Sequence, residues 1–190
     1  MMNKVSNTLE KRTSEEKKIL DSGNRREFDS GAVRDIQEGK GRCDLLPLLE
    51  VSSYFKQLAS EKDEDGFETY SNIMLNIGLF MEYPVATRVN FIETAIKDFI
   101  NSAYDTEWTA ILVLAEHYEE GAKKYAERNW EKGMPYHCFI DSGIRHLTKY
   151  FRGDQDEPHD RAFLWNMFGL IWTLHHHPEC NDLPKNNPGT

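Results

Sequence analysis

The sequence has few cysteines and no long apolar run. Its three cysteines, Cys43, Cys138 and Cys180, lie far apart and form no C-x-x-C pair, which argues against a zinc knuckle or a disulfide framework. The first residues lack the apolar core of a signal peptide, and no stretch approaches the roughly 20 apolar residues of a membrane helix. We therefore expect a cytoplasmic protein with reduced thiols that neither enters a membrane nor is secreted.

Positive charge is also scarce. Lys and Arg number 23 against 32 Asp and Glu, which gives a formal net charge of −9. Because so acidic a chain is repelled by a phosphate backbone, we expect no stable binding to nucleic acid. Such a chain can still bind a nucleotide if a divalent cation bridges its carboxylates to the phosphates.

Alternating strand patterns are nearly absent, so the sequence predicts an all-α fold. The 190 residues fit one domain. We assign it to residues 29–177, between a polar, flexible N-terminal arm at 1–28 and a polar C-terminal tail at 178–190. A glycine-punctuated loop is expected from Asp29 to about Leu48.

Apolar residues at helical spacing predict two or three helices between about Leu48 and Ser102, broken by the acidic turn EKDEDG and by Pro84. Three stronger helical segments follow. Gly133 with Pro135, and the string GDQDEP, separate them. The predicted segments are about Asp105 to Asn129, about Tyr136 to Arg152 and about Pro158 to His176.

An acidic cluster lies on the first of these three helices. Glu116, Glu119 and Glu120 are spaced i, i+3 and i+4, so their carboxylates share one helix face. Like charges at this spacing repel each other. The cluster therefore indicates either a solvated acidic face, partly neutralised by Lys123 and Lys124, or a site for a hard cation such as Mg²⁺, with Mn²⁺ as an alternative.

The other two helices also carry polar groups among apolar neighbours. Asp141 and Arg145 are spaced for an ion pair, and His146 lies beside them. On the last helix, His159 and Asn166 are two turns apart and share one face. Each group alone suits an ordinary structural role, but polar groups on three consecutive helices are typical of bundles with an internal metal site.

Four strings carry a resemblance to a known family. They are SGAVRDIQEGKGRCDLLP at 30–47, EHYEEGAKKYAERNWEKG at 116–133, DSGIRHL at 141–147, and the spacing of His159 with Trp165 and Asn166. With these strings the chain resembles the phage-type dATP/dGTP diphosphohydrolases, relatives of the MazG-like nucleoside triphosphate pyrophosphohydrolases. The resemblance covers roughly 28–50 and 108–176. It implies a MazG-like helical bundle with an inserted helical segment at 51–105, acting in the host cytoplasm if a phage encodes it.

The resemblance also implies an activity and a site. The activity is hydrolysis of a purine (deoxy)nucleoside triphosphate to the monophosphate and pyrophosphate, with Mg²⁺ as cofactor. Glu116 and Glu119 match the family's E-x-x-E metal motif, Glu120 is an adjacent candidate, and Asp141 would be their partner across the bundle. MazG-like proteins often assemble, so we expect at least a dimer, with the insertion as a possible contact. The expected substrate-binding residues are Arg34, Lys40, Arg42, Lys124 and Arg145 for the phosphates, Tyr125, Asn129 and Trp130 for the base, and also His146, His159 and Asn166.

Two alternative functions remain open at this stage. An HD-type phosphohydrolase would use the adjacent pair His159 and Asp160, with His146 and Asp182 as further ligands, and would release tripolyphosphate. A non-catalytic nucleotide sensor or interaction protein on the same bundle would bind nucleotides without turnover.

Overall fold

The computed structural model describes residues 23–37, 40–62, 65–82 and 88–184 of the chain. This part contains six α-helices and one two-stranded ribbon, which confirms the predicted all-α fold. Most of the N-terminal arm, residues 1–22, and the end of the tail, 185–190, lie outside the described residues. The elements are β1 (Arg25–Glu27), β2 (Val33–Asp35), α1 (Leu48–Lys62), α2 (Asp65–Glu82), α3 (Val89–Ala103), α4 (Glu107–Tyr125), α5 (Tyr136–Arg152) and α6 (His159–His176), with single 3₁₀ turns at Cys43–Leu45, Asn129–Lys132 and Pro178–Cys180.

The helix ends follow local capping rules. The side chain of Thr106 accepts a hydrogen bond from the backbone N–H of Thr109 and so caps the start of α4. Helix α5 stops at Gly153, whose φ of +85° lies in the left-handed region that favours glycine. These signals are local, and the predicted bounds of α5 and α6 agree with the structure to within one residue.

Helix α6 lies at the centre of the bundle and packs against α3, α4 and α5. The rings of Phe99 on α3 and Phe163 on α6 are 4.6 Å apart in the middle of the core. Helices α1, α2 and α3 coincide with most of the predicted insertion. Their buried side chains, including Ile73 and Phe80 on α2, belong to the same hydrophobic core as α5 and α6.

The ribbon is where the structure departs from the expected helices and loop. Strand β1 lies inside the predicted N-terminal arm, and β2 lies inside the predicted loop. The strands pair antiparallel with Arg26 opposite Arg34, and the backbone turns between them at Gly31, with a φ of +77°. Each strand has only three residues, too few for alternation to show in the sequence.

Part of the C-terminal tail packs on the domain. Leu183 is buried in the core, and Asp182 pairs with His137 at the start of α5. Residues 178–184 are therefore held in place by an apolar and an ionic contact. Among the described helices, none combines the length and the apolar character that a membrane crossing requires.

Candidate functional site

Asp141 anchors the segment before α1 to helix α5. Its side chain is only 1% exposed. One oxygen accepts a hydrogen bond from the backbone N–H of Cys43 at 2.7 Å, and the other accepts from Gln37 Nε2 at 2.8 Å and from Arg145 Nη1 at 3.0 Å. The Asp141–Arg145 ion pair that the spacing allowed is therefore present. Since both oxygens already have protein donors, this arrangement does not favour Asp141 as a metal ligand.

Arg34, on β2, places a cation inside the bundle. Its Nη2 donates to the side-chain oxygen of Asn166 at 2.5 Å, and its guanidinium lies over the rings of Phe139 at 5.6 Å and Trp165 at 5.4 Å. Its Nη1 is inaccessible to solvent and has no hydrogen-bond partner, and Arg34 forms no ion pair with any residue that the structure describes. Burial lowers the pKa of Arg34 to about 10, so the side chain is still charged at neutral pH.

Further cations lie on or against the ribbon that carries Arg34. Arg26, opposite Arg34 in the ribbon, donates from Nη1 to Gln37 at 2.8 Å, while its buried Nε has no partner. Asp35 alone pairs with three cations, at 2.9 to 3.6 Å from its carboxylate oxygens. The ribbon and its neighbours thus concentrate positive charge within an acidic chain. The three partners of Asp35 are Arg25, Lys40 and the nearly buried Lys124.

The predicted metal ligands on α4 have different surroundings. Glu119 is exposed and pairs with Lys123 at 2.5 Å, as the solvated alternative predicted. Glu116 is also exposed and pairs with Arg161 of α6 at 2.7 Å. Glu120 is partly buried, and its Oε2 has no hydrogen-bond partner.

The predicted ligand set is not assembled as one group. Ligand atoms of three or more carboxylate, His or Cys side chains approach within 4.8 Å in only two groups of the described residues, and neither contains Glu116, Glu119, Glu120 or Asp141. Of the four, Glu120 fits a cation best, because a buried carboxylate oxygen without a partner is costly unless a positive group compensates it. The Mg²⁺ site stays a prediction.

His117 lies one turn before Glu120 and faces the same interior. It is buried, and its Nδ1 has no hydrogen-bond partner. Burial, with a smaller contribution from Arg161, lowers the pKa of His117 to about 4, so its ring is neutral at pH 7. Its ring is 6.5 Å from that of Trp165, over which Arg34 also lies. Four of the five buried side-chain atoms without partners in the described part of the chain belong to Arg26, Arg34, His117 and Glu120.

The residues expected to hold the base have structural contacts. Asn129 donates to the carbonyl of Val33 at 2.9 Å and accepts from its N–H at 3.0 Å, so both ends of its amide fix β2. Trp130 packs edge to face against Trp172, with ring centroids 5.0 Å apart. The guanidinium of Arg25 covers the ring of Tyr125 at 5.2 Å. These contacts favour the structural role that the sequence also allowed.

Arg42, expected at the phosphates, is exposed and bound to Asp44. Its Nε and Nη2 donate to the two carboxylate oxygens at 2.7 and 2.5 Å. This bidentate pair raises the pKa of Arg42 further above its usual value. Arg34 is therefore the better candidate for a ligand phosphate, since it lacks such a partner among the described residues.

His146 and His159 come together at the start of α6. Their Nδ1 atoms are 2.9 Å apart, and His159 Nε2 is 2.8 Å from the carboxylate of Asp156. Burial and the neighbouring His159 hold the pKa of His146 well below its usual range, so its ring is neutral. Sequence reasoning named both histidines but missed Asp156 and Glu157. The signal was the acidic string GDQDEP directly before His159.

The HD-type arrangement is not assembled. Asp182 pairs with His137, which precedes His146 by nine residues on α5, or roughly 13–14 Å along the helix. Asp160 instead accepts a hydrogen bond from the hydroxyl of Tyr104 at 2.9 Å. The fourth ligand proposed for this alternative therefore lies away from the histidine pair.

Residues 101–183 match the family described as "dATP/dGTP diphosphohydrolase, N-terminal". The matched region spans α4, α5 and α6, and it includes His117, Glu120, Asp141, the histidine pair and Asn166. No curated protein and no solved structure matches the chain. The relation to MazG-like enzymes stays a prediction. The match of residues 101–183 to the dATP/dGTP diphosphohydrolase N-terminal family confirms the resemblance seen in the sequence.

Proposed function

We propose that this protein hydrolyses purine (deoxy)nucleoside triphosphates to the monophosphate and pyrophosphate. The observation that carries the proposal is the buried guanidinium of Arg34, which has no carboxylate partner among the described residues. A buried charge without a counter-charge costs several kcal/mol. An anionic ligand would remove most of that cost. The name of the matched family supports a dATP or dGTP substrate, and the purine preference rests on that name.

The surroundings of Arg34 suit a phosphate. The cation–π contacts with Phe139 and Trp165 and the hydrogen bond to Asn166 hold the guanidinium in place. A fixed, planar fork of N–H donors can bind two phosphate oxygens at once. Lys124 and Arg145 lie on neighbouring elements and would add positive charge for the leaving pyrophosphate.

The carboxylates of α4 would provide the remaining chemistry. Mg²⁺, or Mn²⁺ in its place, would be held by Glu120 with Glu116 or Glu119, and it would offset the triphosphate charge and activate a water. A neighbouring carboxylate of α4 would accept the proton of the attacking water. In this step a bond forms between the water oxygen and the α-phosphorus. The bond from that phosphorus to the bridging oxygen breaks, and its electron pair leaves with pyrophosphate.

A panel of the eight common nucleoside triphosphates with Mg²⁺ tests the proposal. Chromatography should resolve the nucleoside mono- and diphosphates from the inorganic products, which are phosphate, pyrophosphate and tripolyphosphate. We expect a nucleoside monophosphate and pyrophosphate from dATP, dGTP or their ribose forms. Release of tripolyphosphate would instead support the HD-type alternative. Nucleotide binding without turnover on any of the eight would overturn hydrolysis and support the sensor.

We also propose that the chain acts as a homo-oligomer in the cytoplasm. On α4, Trp108, Ile111 and Leu112 are spaced i, i+3 and i+4 and are 79%, 51% and 69% exposed. An exposed apolar stripe of this kind is typical of a protein–protein contact. Within the insertion, Tyr54 and Leu75 are exposed as well.

A further inference from the structure

We propose that His146, Glu157 and His159 bind a divalent transition-metal ion, such as Zn²⁺ or Co²⁺, at a site separate from the carboxylates of α4. The site joins the middle of α5 to the start of α6. One ligand atom from each of the three side chains lies within 4.8 Å of the other two. The proposal concerns binding of the metal alone and does not depend on nucleotide hydrolysis.

The distances are close to those around a single ion. Imidazole nitrogens lie about 2.0–2.1 Å from Zn²⁺, so two of them at the tetrahedral angle are about 3.3–3.4 Å apart. The Nδ1 atoms of His146 and His159 are 2.9 Å apart, so binding of the ion would separate them by about 0.4–0.5 Å. The carboxylate of Glu157 lies within 4.8 Å of both nitrogens and would approach the ion by rotation of its side chain.

The contacts behind His159 orient it as a ligand. Its Nε2 lies 2.8 Å from Asp156, which pairs in turn with Lys149 at 2.8 Å. If Nε2 carries the proton and donates it to Asp156, the lone pair of His159 is on Nδ1, which faces His146. A carboxylate that holds the far nitrogen of a histidine is the usual outer contact of a metal ligand.

A second set of three possible ligands lies at the same place but is less suited to a metal ion. Asp154, Asp156 and His159 also lie within 4.8 Å of one another. However, Asp154 pairs with Arg152 and Asp156 with Lys149, so both carboxylates already have cationic partners. The set on the Nδ1 side of His159 offers two imidazoles rather than one, which suits a transition-metal ion better.

The ligand types select the class of metal. Two imidazoles and one carboxylate favour Zn²⁺, Co²⁺ and similar ions, whereas Mg²⁺ prefers oxygen ligands. Without metal, the same 2.9 Å separation suits a hydrogen bond from His146 Nδ1–H to His159 Nδ1. Metal titration separates these two explanations.

The experiment is a Co²⁺ titration of the full-length, metal-free protein without nucleotide, followed by visible absorption and calorimetry, with Zn²⁺ competition. We expect one tight ion per chain. Glu157→Gln and His146→Gln should abolish this tight binding while circular dichroism stays unchanged. Asp156→Asn should weaken it about 10- to 100-fold. Excess Mg²⁺ should not displace the Co²⁺.

The run His175–His176–His177 requires a matched control, because neighbouring histidines can bind the same ions. The double variant H175Q/H176Q should keep the tight site. The proposal is overturned if the wild type binds no stoichiometric Co²⁺ or if H175Q/H176Q removes the binding.

If the ligand variants do not fold, X-ray absorption of the wild-type Zn²⁺ complex identifies the ligands instead. Two imidazoles with an oxygen ligand support the site, and any other ligand set contradicts it. Nucleotide turnover has no part in these measurements, so failure here leaves the proposed hydrolysis untouched.

Discussion

Arg34 of β2 donates a 2.5 Å hydrogen bond to Asn166 of α6, across 132 positions of the chain. The amide nitrogen of Asn166 donates to the carbonyl of Ala162 at 2.8 Å, and this bond directs its oxygen towards Arg34. Because the partner is a neutral amide, it orients the guanidinium without cancelling its charge. The cation is thus held in place for an anionic ligand.

Arg34→Gln should raise the KM for nucleoside triphosphates by tenfold or more, which corresponds to about 1.4 kcal/mol of lost binding. The melting temperature should stay the same or rise, since the variant no longer buries an unpaired charge. Steady-state kinetics and thermal unfolding measure the two effects.

Arg128→Gln is the matched control for this substitution. Arg128 is exposed and pairs with Glu131, so both KM and melting temperature should stay close to wild type. An Arg34→Gln variant with unchanged KM, or with a loss of stability as its main effect, would show that Arg34 is structural.

The carboxylates of α4 should differ in their effect on turnover. Glu120→Gln should remove most of the activity, because Glu120 has the unpartnered buried oxygen. Glu119→Gln should have a smaller effect, because Glu119 is exposed and solvent screens its pair with Lys123. Turnover at saturating Mg²⁺, and the thermal shift that Mg²⁺ produces in each variant, measure the difference.

The sequence resemblance instead implied Glu119, together with Glu116, as the metal motif. A Glu119→Gln variant that loses activity and the Mg²⁺-dependent shift, beside an active Glu120→Gln, would support that prediction against the structural argument.

Much of the fold could be predicted because its signals are local. The predicted bounds of Tyr136 to Arg152 agree with α5, since helical spacing and Gly153 mark them. The ribbon could not be predicted, because Asn129 stabilises β2 from 96 positions away. The same limit applies to the site. Helical spacing placed Glu116, Glu119 and Glu120 on one helix face. Only tertiary packing decides that Glu116 pairs with Arg161 and that Glu120 is partly buried.

The stability of the protein should depend on His117 below pH 6.5. Its pKa is lowered to about 4 in the folded state, so between pH 6.5 and 4 the unfolded chain binds a proton that the folded chain does not. The neutral ring of His117 therefore adds to the free energy of unfolding in full above pH 6.5. This stabilisation falls by up to about 3 kcal/mol as the pH drops towards 4.

Urea unfolding of the wild type and of His117→Gln at pH 7.5, 6 and 5 tests this effect. Other groups titrate in both proteins and cancel in the difference. The wild type should lose its stability relative to the variant as the pH falls. Two curves that stay parallel over this range would contradict a depressed pKa for His117.

Asn129→Ala should destabilise the protein by about 1–3 kcal/mol, because it leaves both backbone groups of Val33 without their partners. Amide hydrogen exchange at Val33 should speed up. Asn101→Ala, on the exposed side of α3, is the control and should change stability by less than about 0.5 kcal/mol. If Asn129 instead holds the purine, as the resemblance implied, its substitution would raise the KM and leave stability unchanged.

Leu112→Lys should dissociate the proposed oligomer. Leu112 lies beside Trp108 in the exposed stripe of α4, so a lysine there leaves the core of each chain intact but places a charge in the contact. Light scattering coupled to size exclusion should then give the mass of one chain, with an unchanged circular dichroism spectrum.

Thr94→Lys, at an exposed position of α3, is the control and should keep the wild-type mass. A monomeric wild type at micromolar concentration would exclude the oligomer. Dissociation by Tyr54→Lys, with Leu112→Lys still assembled, would place the contact in the insertion, as the sequence predicted.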